Sequence, residues 1–186
     1  ANRFIFGTLA GRKQPAFGPD HAGPHGLLPP IQIETLSFTR LYEAGIQWTY
    51  RSGERQHELW LNWQRLNTPS NREVFDAGVV GQWPIVGPIA GAYQFHIVHH
   101  GGQIFASGAV ADSWVVAPGV VVRTPASRVT GVTVDAYFLH SRYVPDREQT
   151  DRMISGGGAF GRAAVTHGSW RGHALAWRSR DYVKEE

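Results

Sequence analysis

The sequence predicts an all-β fold, an antiparallel up-and-down meander of about ten strands. Three observations carry that prediction: period-two alternation of apolar and polar residues, a rhythm of short and long connections, and aromatic residues grouped at opposite strand ends. Short turns at 51–55, 84–88, 124–130 and 167–172 alternate with long polar connections at 66–73, 101–118 and 143–158. Every second connection of a meander lies at the same end of the sheet, so one end carries the turns and the other the loops. Outer-membrane β-barrels have that asymmetry, and the chain is read as part or all of one such barrel, a single domain over 1–186.

Taken in order, residues 3–9 and 31–38 read as strands on either side of a Gly/Pro/His-rich segment, 11–30. That segment carries Asp20, His21 and His25. It fits either an inward constriction or, as the preferred reading, an irregular connection. In 45–51, Ile46, Trp48 and Tyr50 share one face, opposite Gln47, Thr49 and Arg51. Across the turn Leu59, Leu61 and Trp63 oppose Glu58, Asn62 and Gln64, with Trp60 interrupting the polar face. Next, Phe75, Ala77, Val79, Gly81 and Trp83 alternate with Val74, Asp76, Gly78, Val80 and Gln82. Tyr93, Phe95 and Ile97 alternate with Gln94, His96 and Val98, and Val132, Val134, Ala136 and Phe138 with Thr133, Asp135, Tyr137 and Leu139. Weaker strands lie at 120–123, 159–167 and 172–179. Each window that might have formed a helix holds Gly, Pro or β-branched clusters.

Composition narrows the function. The net charge is +3 with basic residues dispersed, so the clustered patch of a nucleic-acid groove is missing. With no cysteine, disulfides, thiolate zinc sites and cysteine nucleophiles are excluded. No apolar run reaches the ~18 residues of a membrane helix, and residues 1–9 lack the pattern of a signal peptide. Barrel strands, however, show lipid only every second residue.

Tyr50, Trp83 and Tyr93 fall near the short-turn end, and Trp63, Tyr143, Trp177 and Tyr182 near the long-loop end, as two interfacial girdles would. The proposed water-facing lining is Arg51, Glu58, Asn62, Gln64, Asp76, Gln94, His96, Asp135, Arg162 and Arg178. A secreted β-sandwich with one wet face shows the same alternation.

The stretches at Phe6–Thr8, His25–Pro29, Glu43–Gln47, Trp60–Trp63 and His100–Gln103 resemble a family of uncharacterised bacterial outer-membrane, porin-like β-barrels. The resemblance covers roughly the first hundred residues. It implies architecture and location, with no defined activity. Barrels of this kind usually end on an aromatic strand residue, whereas the sequence closes on Tyr182-Val183-Lys184-Glu185-Glu186, which points to a longer natural chain.

The chemistry is thinner. His96, His99 and His100 suggest a metal, but His96 and His100 lie roughly 13 Å apart along a strand and His99 points the other way. Gly156–Gly161 fits G-x-G-x-x-G yet leads into a strand, not a helix. Ser107, Ser113, Ser155 and Ser169 lack a nucleophile-elbow setting, and Glu58, Asp76, Asp112 and Asp135 have no fixed separation. The expectation is therefore a passive porin-like conduit or surface scaffold in the bacterial outer membrane, not an enzyme and without a cofactor. Its partners would be the lipid bilayer and small polar solutes or glycans, with self-assembly into homo-oligomers open. The alternative is a secreted sandwich binding carbohydrate through the loop aromatics Phe105 and Trp114.

Overall fold

The computed structural model describes residues 1–9, 24–32, 42–101, 108–124 and 130–185. They form one nine-stranded antiparallel sheet in which each strand pairs with its neighbours in sequence. The strands are β1 (Asn2–Thr8), β2 (Ala44–Ser52), β3 (Arg55–Arg65), β4 (Glu73–Val86), β5 (Ile89–Gly101), β6 (Ala111–Arg123), β7 (Thr130–Val144), β8 (Ile154–His167) and β9 (Trp170–Arg180). There is no α-helix among the described residues, and β1 and β9 do not pair, so the sheet is open. Gly53 and Gly87 take left-handed φ angles of 57° and 51° at the tips of two tight hairpins, a conformation that favours glycine.

Two strands are much longer than the alternation alone indicates. β6 begins at Ala111 and β8 at Ile154, so the long connections shrink to 102–110 and 145–153. Pro118 explains the first discrepancy. Its missing N–H coincides with an interruption of β6–β7 pairing at Ala117 and Pro118, while β5–β6 pairing runs through it. The glycines at 156–158 sit inside β8.

The two faces of the sheet are inverted relative to a soluble protein. Gln47, Glu58, Asn62, Asp76, Gln82, Gln94, His96, Asp135 and Arg162 are all buried on the inner face. The outer face exposes Leu59, Trp63, Val120, Val134, Phe138 and Val165. A sandwich strand buries its apolar side, whereas an outward apolar band around a polar interior is the barrel arrangement. Along the short-turn end an aromatic ribbon crosses the outer face, Phe4–Trp48–Tyr50–His57–Tyr93–Trp83, with successive centroids 5.9–6.3 Å apart. The second girdle needs correction. Trp63 faces outward, but Tyr143 lies opposite Ser113 and Trp177 opposite Phe160 on the inner face, and Tyr182 donates from its hydroxyl to Pro30 O at 2.7 Å.

The irregular segment 24–32 is not a surface connection, contrary to the preferred sequence reading. Leu27, Leu28 and Ile31 are fully buried against Trp60, Val80, Ala92, Val115, Tyr137, Leu139 and Phe160. Ile31 and Gln32 lie in a turn, and the rest of the strand expected at 31–38 falls outside the described residues. Polar contacts fix the segment: Gln94 accepts from Leu28 N at 2.9 Å and donates to Gly26 O at 3.0 Å. The His25 ring lies between Glu43 (2.7 Å) and Glu58 (2.5 Å) and stacks on Trp60 with centroids 4.0 Å apart. Trp60, which breaks the polar alternation of β3, is thus the platform for the segment. A Cβ at Gly78 would run into its ring.

Burial pushes the His25 imidazole down, but the two carboxylates outweigh it and raise its pKa from 6.5 to about 9. Because the folded value lies above the unfolded one, the stabilisation is complete below pH 6.5 and is lost as pH rises through 9. That loss is on the order of 3 kcal/mol. Urea unfolding in detergent, followed by circular dichroism, is expected to show a falling midpoint between pH 6.5 and 9.5. A His25→Gln variant whose midpoint fell equally over that range would remove His25 as the cause.

Candidate active site

The inner face concentrates ionisable groups, and those buried at its centre are tied up or covered. Asp135 and Arg162 form a buried pair across β7 and β8, with Nε–Oδ1 at 3.2 Å and Nη2–Oδ2 at 2.5 Å. His96 and Asp76 stand 3.6 Å apart, beyond hydrogen-bond distance. Segment 24–32 and the stretch after β9 pack on the same inner face. In that stretch Val183 N donates to Ser141 Oγ and Glu185 N to Ser113 Oγ.

A different cluster lies on the outer face at the long-loop end. His99 near the end of β5 pairs in register with Asp112 near the start of β6 and with Phe75 on β4. His99 Nδ1 is 2.7 Å from Asp112 Oδ1, and the ring sits 4.8 Å from that of Phe75. Arg147, from loop 145–153, forks onto the same carboxylate with Nε–Oδ2 at 2.5 Å and Nη2–Oδ1 at 3.0 Å. Its backbone N–H donates to Val110 O at 2.9 Å, which seats the loop over the pair. Only 14% of the His99 side chain and 12% of Asp112 remain accessible. Gly101 lets the imidazole lie back, because a Cβ there would collide with Nε2.

This geometry has a chemical meaning. A carboxylate on Nδ1 takes the Nδ1–H, holds the ring in one orientation and leaves the Nε2 lone pair to accept a proton. Arg147 occupies the remaining carboxylate lone pairs and keeps Asp112 ionised and aimed. The cluster sits where the outward apolar rows of Phe95, Ile97 and Val116 give way to polar residues.

The structure separates the three histidines proposed as metal candidates. His96 and His100 are on the inner face, His99 on the outer, and among the described residues no group of three or more ligands gathers. Of the proposed lining, Glu58, Asn62, Asp76, Gln94, His96, Asp135 and Arg162 are buried on the inner face. Arg51 lies on that face at the short-turn end, exposed, and Gln64 is half-buried at the β3 irregularity between Trp63 and Arg65. Arg178 does not belong with them: it pairs with Ala159, itself opposite Phe138, and so faces outward. Trp114 is not a loop aromatic but an outer-face residue of β6, edge-on to His140 at 5.7 Å, while Phe105 falls outside the described residues. Asp112 stood among the candidate carboxylates without a partner. The signal for its pairing was a histidine and an aspartate thirteen positions apart across one hairpin.

The family model described as Lipid A 3'-O-deacylase-type matches residues 1–186. No curated protein and no solved structure matches the chain. The family is an outer-membrane type but not specifically a porin, which refines the porin-like resemblance. It is also a family of enzymes, which overturns the expectation of a protein without catalytic activity.

Proposed function

This chain belongs to the Lipid A 3'-O-deacylase-type family, and from that premise we propose that it hydrolyses ester-linked acyl chains of an outer-membrane glycolipid. In this reading His99 is the general base, Asp112 orients it and water is the nucleophile. The observation that carries the proposal is the 2.7 Å His99–Asp112 contact on the outward face, with no hydrogen-bond partner for Nε2 among the described residues. Lipid ester bonds lie just below the headgroups, at the level where an apolar barrel band meets its polar rim.

The step balances with the groups present. His99 Nε2 takes a proton from water as the water oxygen bonds to the ester carbonyl carbon. The ester C–O bond then breaks, and the imidazolium returns the proton to the departing alkoxide, giving a free fatty acid and a sugar hydroxyl. Asp112 stays ionised and stabilises the imidazolium throughout. Phe75 walls one side of the imidazole and limits bulk water there.

Occupation of the inner face by 24–32 and 182–185 favours a hydrolase over a passive conduit. The test is fatty-acid release from a glycolipid carrying both ester- and amide-linked chains, read by mass spectrometry on the protein in detergent. Ester chains alone are expected to be released, with Ser107→Ala as active as the parent. Absence of any release sinks the hydrolase, and loss of activity in Ser107→Ala sinks water as the nucleophile.

A further inference from the structure

We propose that the inner face holds a pair of bound waters in an enclosed site formed by Trp60, Gln64, Asp76 and His96, bridging β3, β4 and β5. The site lies on the opposite face of the sheet from His99, and its occupancy does not depend on the hydrolase reading.

The strand register assembles these groups. Trp60 on β3 and His96 on β5 flank Gly78 of β4, which leaves room for the indole, and the two ring centroids stand 6.1 Å apart. Asp76 is the next inward residue along β4, and Gln64 lies beside it at the β3 irregularity between Trp63 and Arg65. Trp60 Nε1, Gln64 Nε2, Asp76 Oδ1 and both ring nitrogens of His96 are buried with no hydrogen-bond partner among the described residues. The polar groups around them are already committed. Asn62 accepts from Ala44 N at 3.1 Å, Gln47 donates to Glu58 at 2.7 Å, and Gln94 is bound to segment 24–32. Folded proteins leave few buried polar groups unpaired, because each retains its full desolvation cost. Orphan atoms gathered on three adjacent strands therefore point to a ligand between them.

The chemistry of those atoms selects the ligand. Trp60 and Gln64 present N–H donors, Asp76 presents an acceptor, and a neutral imidazole presents one of each. A metal ion would meet the N–H groups of Trp60 and Gln64, and an anion would meet the Asp76 carboxylate. Only a molecule that both donates and accepts suits the whole set. It must also be as small as water, because Trp60, Asp76 and His96 are only 1%, 2% and 1% exposed. His96 Nε2 and Asp76 Oδ2 stand 3.6 Å apart, too far for a direct bond and suited to a water that touches both. The two nitrogens of an imidazole point away from one another, so Nδ1 needs a second water. A buried water typically makes about three hydrogen bonds, which this mixture of donors and acceptors can supply. The waters thereby hold the indole that carries His25, stacked on it at 4.0 Å.

The test is a crystal structure of the full chain in detergent, at a resolution that shows ordered water. Water is expected within hydrogen-bond distance of each His96 ring nitrogen, of Asp76 Oδ1 and of Trp60 Nε1. A dry site, a metal ion there, or a His96 ring turned to bond Asp76 directly overturns the proposal. A second measurement reads the same site in solution. The Trp60 indole N–H, identified by the resonance that Trp60→Phe removes, is expected to show a nuclear Overhauser contact to water with the sign of a long-held molecule. Joint replacement Asp76→Leu and His96→Leu makes the site largely apolar, and apolar cavities stay dry. That variant is expected to lose the contact while keeping heat-modifiable gel mobility. No contact in the parent, or an undiminished contact in the double variant, overturns the assignment. Loss of fatty-acid release would bear on His99 alone and leave these waters in place.

Discussion

Replacing Asp112 with asparagine is expected to lower kcat for ester cleavage by about 10⁴-fold, with little change in KM. The asparagine side chain nearly matches the carboxylate in size, so the loop and β6 keep their places. Its amide can donate to Nδ1, which turns the ring to the tautomer with the proton on Nε2 and removes the lone pair that receives the proton from water. Arg147 would also face a neutral group in place of the carboxylate that it forks onto at 2.5 and 3.0 Å. His99→Ala is expected to be as damaging, since no other base among the described residues is hydrogen-bonded to Asp112 on that face. Initial rates of fatty-acid release against pH decide the matter. Losses of that size in both variants, at every pH tested, support the dyad. A variant within tenfold of the parent removes His99–Asp112 from the chemistry.

The second large effect concerns stability. Asp135→Ala is expected to destabilise the protein by roughly 3–5 kcal/mol, because it takes the carboxylate out of a buried ion pair. The pair is almost fully enclosed, with side-chain exposure of 6% for Arg162 and 1% for Asp135. It joins β7 to β8 next to Tyr137 and Phe160, so the guanidinium, its carboxylate partner lost, cannot move into water without opening the sheet. Replacing both together, Asp135→Leu with Arg162→Met, should recover most of the loss. Urea midpoints in detergent for the two single variants and the double variant form the cycle. If Asp135→Ala proves within 1 kcal/mol of the parent, the contact carries no net stability.

The strands were legible because the two faces of this sheet have opposed chemistry, as Gln47 against Trp48 and Asp135 against Val134 show. Alternation reports such opposition directly, whichever face is wet. It does not report which residues oppose one another across strands, and the candidate site depends on that. His99 and Asp112 meet because β5 and β6 pair in one register. The loop between them looked longer than it is because Pro118, a residue usually kept out of paired strands, sits inside β6. Arg178 was misplaced for a related reason: β9 is weakly patterned, and its register against β8 turns His173, Leu175 and Trp177 inward. Segment 24–32 was unreadable in a different way. Leu27 and Leu28 amid Gly and Pro acquire meaning only when a curved sheet supplies a surface to bury them.

That segment also bears on the order in which the molecule assembles. It is made early, yet its partners come late: Leu28 is held by Gln94, 66 positions on, and Pro30 by Tyr182, 152 positions on. Nearest-neighbour strand pairing is local and fast, but these closures span most of the chain and carry a large entropic cost before they yield any stabilisation. The sheet can zip strand by strand, yet its inner surface cannot be completed until segment 24–32 meets the stretch after β9. Maturation of this protein should therefore include a slow step, set by the docking of 24–32 onto Gln94 and Tyr182 and not by the hairpins between them.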